Sequence, residues 1–307
     1  MGMSFSKLPR SMLRRAALLL ALLPIAAAGC GGSSTGGGDA PTIVATTTQL
    51  ADMARNIAPG AHVTSILSPN TDPHEYEVRP DDVKALASAD IVLRSGGEVD
   101  AWLDGALGAA GVDEQDVVDT GAAVGLEGDD PHWWQDPVRA EKAATAIGRA
   151  FAAAGLPDRS AAYVARLKRL DAGVRACMDK VPAGERKLVT SHDALGYYAK
   201  RYDIRVIGAV IPALTTAAQP SAGDVANLVA TIRREGVKTI FAESSVNPKV
   251  EEAIARETGA KIGKALWADS LGPTGSDGAT YISSIEANTR ALVQGFTGGA
   301  VDCPVDA

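Results

Sequence analysis

Histidine is scarce in this chain, with 4 in 307 residues. Three of the four sit in related settings: His74 in Asp72-Pro-His-Glu-Tyr-Glu, His132 in Asp130-Pro-His-Trp-Trp-Gln-Asp-Pro, and His192 in Thr190-Ser-His-Asp-Ala. Neutral imidazole is a good ligand for zinc, and three imidazoles with one carboxylate complete a tetrahedral shell. The three lie about 60 residues apart, which matches no local zinc-binding spacing, so only the fold could assemble a site. On spacing alone, convergence competes with a plain reading as unrelated surface or hydrogen-bonded side chains. His62, at the start of a predicted strand, reads as solvated.

The elements that would have to position these residues follow from the apolar pattern. Short β-branched runs alternate with longer helical patterns, the mark of βαβ units and a parallel sheet, and the alternation occurs twice. The first half has predicted strands at 42–46, 63–67, 91–94 and 117–119, with helices at 50–57, 80–88, 101–109 and 137–154. The second has strands at 187–191, 205–210, 238–242 and 261–266, with helices at 194–201, 221–235, 248–258 and 280–296. Between them, 157–180 reads as one long helix, with Pro157 in its first turn and Tyr163, Leu167, Leu170 and Val174 along one face. The expected fold is therefore α/β, two Rossmann-like domains joined by a stiff helix. In such sheets the loops beyond the carboxyl ends of the strands line the ligand crevice, where the three histidine segments fall.

The ends and the charge narrow the setting. Lys7, Arg10, Arg14 and Arg15 precede an apolar run over 16–28 that is too short to span a bilayer, so 1–29 reads as a secretory signal. Ala27-Ala28-Gly29-Cys30 resembles a bacterial lipobox, with Ala27 where Leu is usual, and implies lipidation of Cys30. The Gly/Ser stretch that follows makes 30–40 a lipidated Cys and flexible tether. The whole chain carries a net charge of −7, and the lost signal has only basic charges, so the mature chain is more acidic still. That argues against nucleic acid as a partner. Cys177 and Cys303 remain in a chain that reads as exported, where they could pair as a disulfide or stay as two buried thiols.

Four ordered motifs carry a family resemblance: the segments around His74 and His132, then His192-Asp-Ala-Leu-Gly-Tyr-Tyr-Ala-Lys-Arg-Tyr, then Ala268-Asp-Ser-Leu-Gly-Pro. Together with Gln219-Pro-Ser-Ala-Gly-Asp and Ile240-Phe-Ala-Glu-Ser, they make residues 41–300 similar to the zinc- and manganese-binding solute-binding proteins of ABC importers, the ZnuA/TroA-like cluster A-I family. The resemblance implies a metal-binding domain at 41–156, a linking helix at 157–180 and a second metal-binding domain at 181–307. It implies a cleft site with His74 and His132 from the first domain and His192 and Asp269 from the second. Glu243, at a strand end, is a competing carboxylate. Trp133, Trp134 and Trp267 flank proposed ligands as candidates for an apolar shell, and Glu75, Asp136 and Asp193 are candidate partners for the other imidazole nitrogens.

What the resemblance implies about function is an exported, lipid-anchored zinc binder outside the cytoplasmic membrane or in the periplasm. As a monomer it would deliver Zn2+ to a permease and its ATPase, with a metallochaperone as a further partner. In this family the third ligand is His or Glu, and His192 favours zinc. The stretch 121–130 lacks the histidines of many zinc members, which keeps Mn2+ as the alternative. A zinc hydrolase would need an open coordination position and a general base, and neither HExxH nor GxSxG occurs. A surface adhesin on the same scaffold is the remaining alternative.

Overall fold

The computed structural model describes residues 40–307. The proposed signal, Cys30 and the tether at 31–38 lie outside the described residues. The first half is built on a parallel sheet of β1 (Thr42–Ala45), β2 (His62–Ser65), β3 (Ile91–Arg94) and β4 (Val117–Asp119), in the order β2-β1-β3-β4. In its central strand Ile43 pairs with both Val63 and Ile91. Helices α1 (Thr48–Ile57), α2 (Pro80–Ala87), α3 (Leu103–Ala110), α4 (Thr120–Val124) and α5 (Pro137–Ala153) complete this half. Ile43, Val44 and Ala45 are fully buried, as a continuous apolar run in a covered parallel strand should be.

The second half repeats the plan. Strands β5 (Lys187–Thr190) and β6 (Arg205–Ala209) pair in parallel, as do β7 (Thr239–Ile240) and β8 (Lys261–Ile262). Parallel bridges Thr190–Phe241 and Glu243–Leu266 carry the ladder onward. The spatial order is thus β6-β5-β7-β8, the same as in the first sheet. Both β7 and β8 are shorter than the predicted 238–242 and 261–266. Gly263 packs where a Cβ would meet the Phe241 ring at 2.7 Å, and regular pairing gives way there to single hydrogen bonds such as Leu266 N–H to Ala242 O, 2.9 Å. Helices α7 (Gly196–Arg201), α8 (Ala222–Glu235), α9 (Lys249–Thr258) and α10 (Tyr281–Thr297) follow, with α6 (Ser160–Met178) between the halves.

Helix α6 begins three residues after Pro157, because the Asp158 carboxylate accepts the Ser160 N–H at 2.7 Å and sets the entry turn. It buries Tyr163, Leu167, Leu170, Val174 and Cys177. These join one apolar core running from Ile43 and Leu50 in the first half to Tyr198, Leu266 and Leu292 in the second. Each fully buried leucine here is worth about 1.5–3 kcal/mol, so α6 is held on both sides and resists large hinge swings. In its last turn, Cys177 is bonded to Cys303 with Cα atoms 5.7 Å apart, fixing the C-terminal segment. No helix among the described residues is long and apolar enough to cross a membrane.

Candidate metal centre

In each sheet the chain moves from the first strand to one side and then returns to the other, which leaves a crevice at the carboxyl ends of the two central strands. His192 lies two residues beyond β5 and Glu243 three beyond β7, side by side at the second crevice. The first half contributes His74 from the segment between β2 and α2, and His132 from the turn before α5. Asp269 comes from the extended segment after Leu266.

Ligand atoms of His74, His132, His192 and Asp269 all lie within 4.8 Å of one another. The Nε2 atom of His132 is 3.4 Å from that of His74 and 3.3 Å from that of His192. The Asp269 carboxylate oxygens stand 3.6 Å from His74 Nε2, 3.5 Å from His132 Nε2 and 3.3 Å from His192 Nε2. A tetrahedral shell with ligands about 2.0–2.1 Å from an ion has edges of about 3.3–3.4 Å, so the spacing is that of a coordination shell rather than of a hydrogen-bond network. Both Asp269 oxygens are buried and, among the described residues, have no hydrogen-bond donor. A carboxylate so placed needs a cation.

The repeated Asp-Pro-His motif acquires a mechanical meaning. In both copies an aspartate oxygen accepts the backbone N–H of the histidine two residues on, Asp72 at 3.0 Å and Asp130 at 2.9 Å. The same Asp130 oxygen lies 2.8 Å from His132 Nδ1. Glu243 does the equivalent for His192, accepting its backbone N–H at 2.9 Å and facing Nδ1 at 2.8 Å. A carboxylate can only accept, so Nδ1 carries the proton in both rings and Nε2 is turned to the cluster. Trp134 stands edge-on to the His132 ring, with centroids 5.4 Å apart.

First-half side chains hold the backbone of the Asp269 segment. Trp134 Nε1 and Gln135 Nε2 donate to Ala268 O at 2.7 and 2.6 Å, Gln49 Nε2 donates to Asp269 O at 3.0 Å, and Thr48 Oγ1 accepts the Leu271 N–H at 2.8 Å. On the opposite side, the Tyr197 hydroxyl accepts the Glu127 N–H at 2.7 Å and donates to Asp130 O at 3.0 Å. Gly196 packs closely there, since a Cβ would come 3.0 Å from the Asp130 carboxylate.

The charges are strongly coupled. Burial, with His132 and His192 beside it, pushes the His74 pKa down to about 3. Burial also pulls on His192, but the Asp269 and Glu243 carboxylates outweigh it and raise that ring to about 9. Asp269 is raised to about 6 by burial, against the pull of His192 and His132. A proton on His192 thus offsets the buried negative charge wherever a metal does not.

All four residues that the family resemblance implied as ligands therefore come together. His62 is exposed on β2, away from them. Glu243 is not a fourth ligand atom here, because its carboxylate lies behind His192. Glu75 and Asp193 are exposed, and Asp136 instead caps α5 through the Val138 N–H at 2.9 Å, so none of the three is the imidazole partner. Trp267 is also displaced from the expected shell: it lies over Gly272 and Gly278 and donates to Asp277 at 3.1 Å. The sequence reading missed Asp130 as the His132 partner, although its position two residues before the histidine, repeated at Asp72, was the available signal. Thr48 and Gln49 left no such trace.

A family model described as zinc-uptake complex component A, periplasmic, matches residues 43–295. The zinc-binding protein TroA of Treponema pallidum is 33% identical over 273 residues, covering 82% of this chain and 88% of the relative. The manganese-binding lipoprotein MntA of Bacillus subtilis is 32% identical over 274 residues, covering 82% and 88%. The solved structure of the periplasmic zinc-binding TroA superposes with a TM-score of 0.75 at 28% identity, covering 84% of this chain and 99% of that one. The matched family is a zinc-uptake component and these relatives are metal-binding proteins, not enzymes, which removes the hydrolase reading.

Proposed function

Because this chain belongs to the periplasmic zinc-uptake component A family, we propose that it captures one zinc ion through His74, His132, His192 and Asp269 and delivers it to an ABC importer. The observation that carries this reading is the buried Asp269 carboxylate, without a hydrogen-bond donor among the described residues, facing three imidazole Nε2 atoms at 3.3–3.6 Å. Three borderline nitrogen ligands and one oxygen suit zinc, and the tetrahedral spacing suits an ion with no preference for six ligands. Ligands from both halves meet on one ion, so binding stabilises the closed arrangement of the lobes 41–156 and 181–307 on either side of the linking helix. Release follows when the membrane permease and its ATPase draw the lobes apart.

The chain acts as an exported monomer, held outside the cytoplasmic membrane through lipidated Cys30, and a metallochaperone is a further candidate source of the ion. Manganese is the second reading, with one observation in its favour. The two Asp269 oxygens face different histidines, one towards His132 and the other towards His74 and His192, so a bidentate carboxylate could supply a fifth ligand. Competitive titration of the metal-free chain with zinc and manganese separates the two. Preference for zinc supports the proposal, and preference for manganese changes the cargo while keeping the site.

A further inference from the structure

His74 differs from the other two histidines in how it is held. It rides on residues 66–79, an irregular segment between β2 and α2. Segments of this length without regular structure need specific anchors if they are to place a side chain accurately. Two of its anchors come from the other half of the molecule. The Asn70 N–H donates to Leu271 O at 2.9 Å, and the Thr216 hydroxyl donates to Asp72 Oδ2 at 2.6 Å. The other oxygen of the same carboxylate accepts the His74 N–H. Thr216 is only 6% exposed, so its hydroxyl is withdrawn from water and the bond is not an incidental surface contact.

The segment carrying Thr216 is itself fastened to the His192 turn. The Ile211 N–H donates to Ser191 O at 2.8 Å and the Asp193 N–H donates to Ala213 O at 3.0 Å. A chain of contacts thus runs from the His192 turn through residues 211–216 to Thr216, Asp72 and the His74 backbone without passing through the metal site.

Resting on the metal-binding reading of that site, we propose that Thr216 is a positioning residue which seats His74 through Asp72 only when the two halves are closed. Opening withdraws the Thr216 hydroxyl, frees the Asp72 carboxylate and loosens His74 first, so that release is coupled to lobe separation. His132 and His192 differ in that each keeps a carboxylate of its own half on ring Nδ1, Asp130 and Glu243 respectively.

The test loads the full chain with Co2+ and follows chelator capture by the loss of its visible absorption. Thr216→Val removes the hydroxyl at nearly constant shape, Thr216→Ala does so without the added methyl, and Thr216→Ser restores it. Outer-shell groups are commonly worth 10- to 100-fold, so Val and Ala should release Co2+ roughly 10- to 100-fold faster, with Ser near the unaltered rate. Release at the unaltered rate in either Val or Ala, or a Ser variant no better than Val, overturns the proposal. An unaltered chain that takes up no stoichiometric Co2+ instead overturns the metal-site reading on which it rests.

Discussion

Glu243 grips His192 twice, one carboxylate oxygen accepting the backbone N–H at 2.9 Å and the other facing ring Nδ1 at 2.8 Å. The two bonds fix both the ring's orientation and its tautomer, and turn Nε2 to the cluster, 3.3 Å from both Asp269 and His132 Nε2. Glu243→Gln keeps the size and one acceptor but removes the charge that strengthens the imidazole as a donor to metal. Affinity is expected to fall by about 10- to 100-fold, measured by competition against a chelator of known strength. Unchanged affinity would mean that the pairing only packs the turn.

Acidity should act through the same group. His192 is held up at about 9 in the metal-free protein, so near neutral pH its ring carries a proton that an incoming metal must displace. Affinity should therefore rise about tenfold per pH unit between roughly 6 and 9, and steepen below about 6, where Asp269 also takes up a proton. Calorimetry in buffers of different ionisation heat should show close to one proton released per ion at pH 7.5. Binding without proton release would remove the pairing of His192 with its two carboxylates as an account of the site.

The Cys177–Cys303 bond ties the end of α6 to the last residues of the chain, at a sequence separation of 126. Cross-links over such long loops typically contribute about 2–5 kcal/mol, so Cys303→Ser should lower denaturant stability by that order. Metal affinity should hold, because none of the residues that touch the four ligands comes from this segment. A large loss of affinity with little loss of stability would contradict that separation of roles.

Much of this was legible in the sequence for identifiable reasons. The strand Ile91–Arg94 ends at the turn-forming Ser95-Gly96-Gly97, and α6 shows its buried face at Tyr163, Leu167, Leu170 and Val174. The short α4 leaves no signal in the sequence, since its five residues complete too little of a helical period to form a pattern. The sequence pattern predicts β7 and β8 too long because apolar residues continue past Ile240 and Ile262, whereas regular pairing ends at those residues and only single hydrogen bonds follow. At the site, rare residue types in ordered motifs mark the four residues that cluster. Their supports are hidden: Thr216, Thr48 and Gln49 are common residue types whose partners lie hundreds of residues away, and Glu243, legible as a carboxylate at a strand end, meets His192 only in the folded chain.

The central claim is that four side chains from two halves of the chain hold one metal ion. Its most direct test is the metal content of the purified chain beside that of His192→Ala, after both are loaded with zinc and dialysed against the same weak chelator. One zinc per chain, lost from the variant, is the expected result. Absence of stoichiometric metal from the unaltered chain, or its full retention in His192→Ala, would contradict the site described.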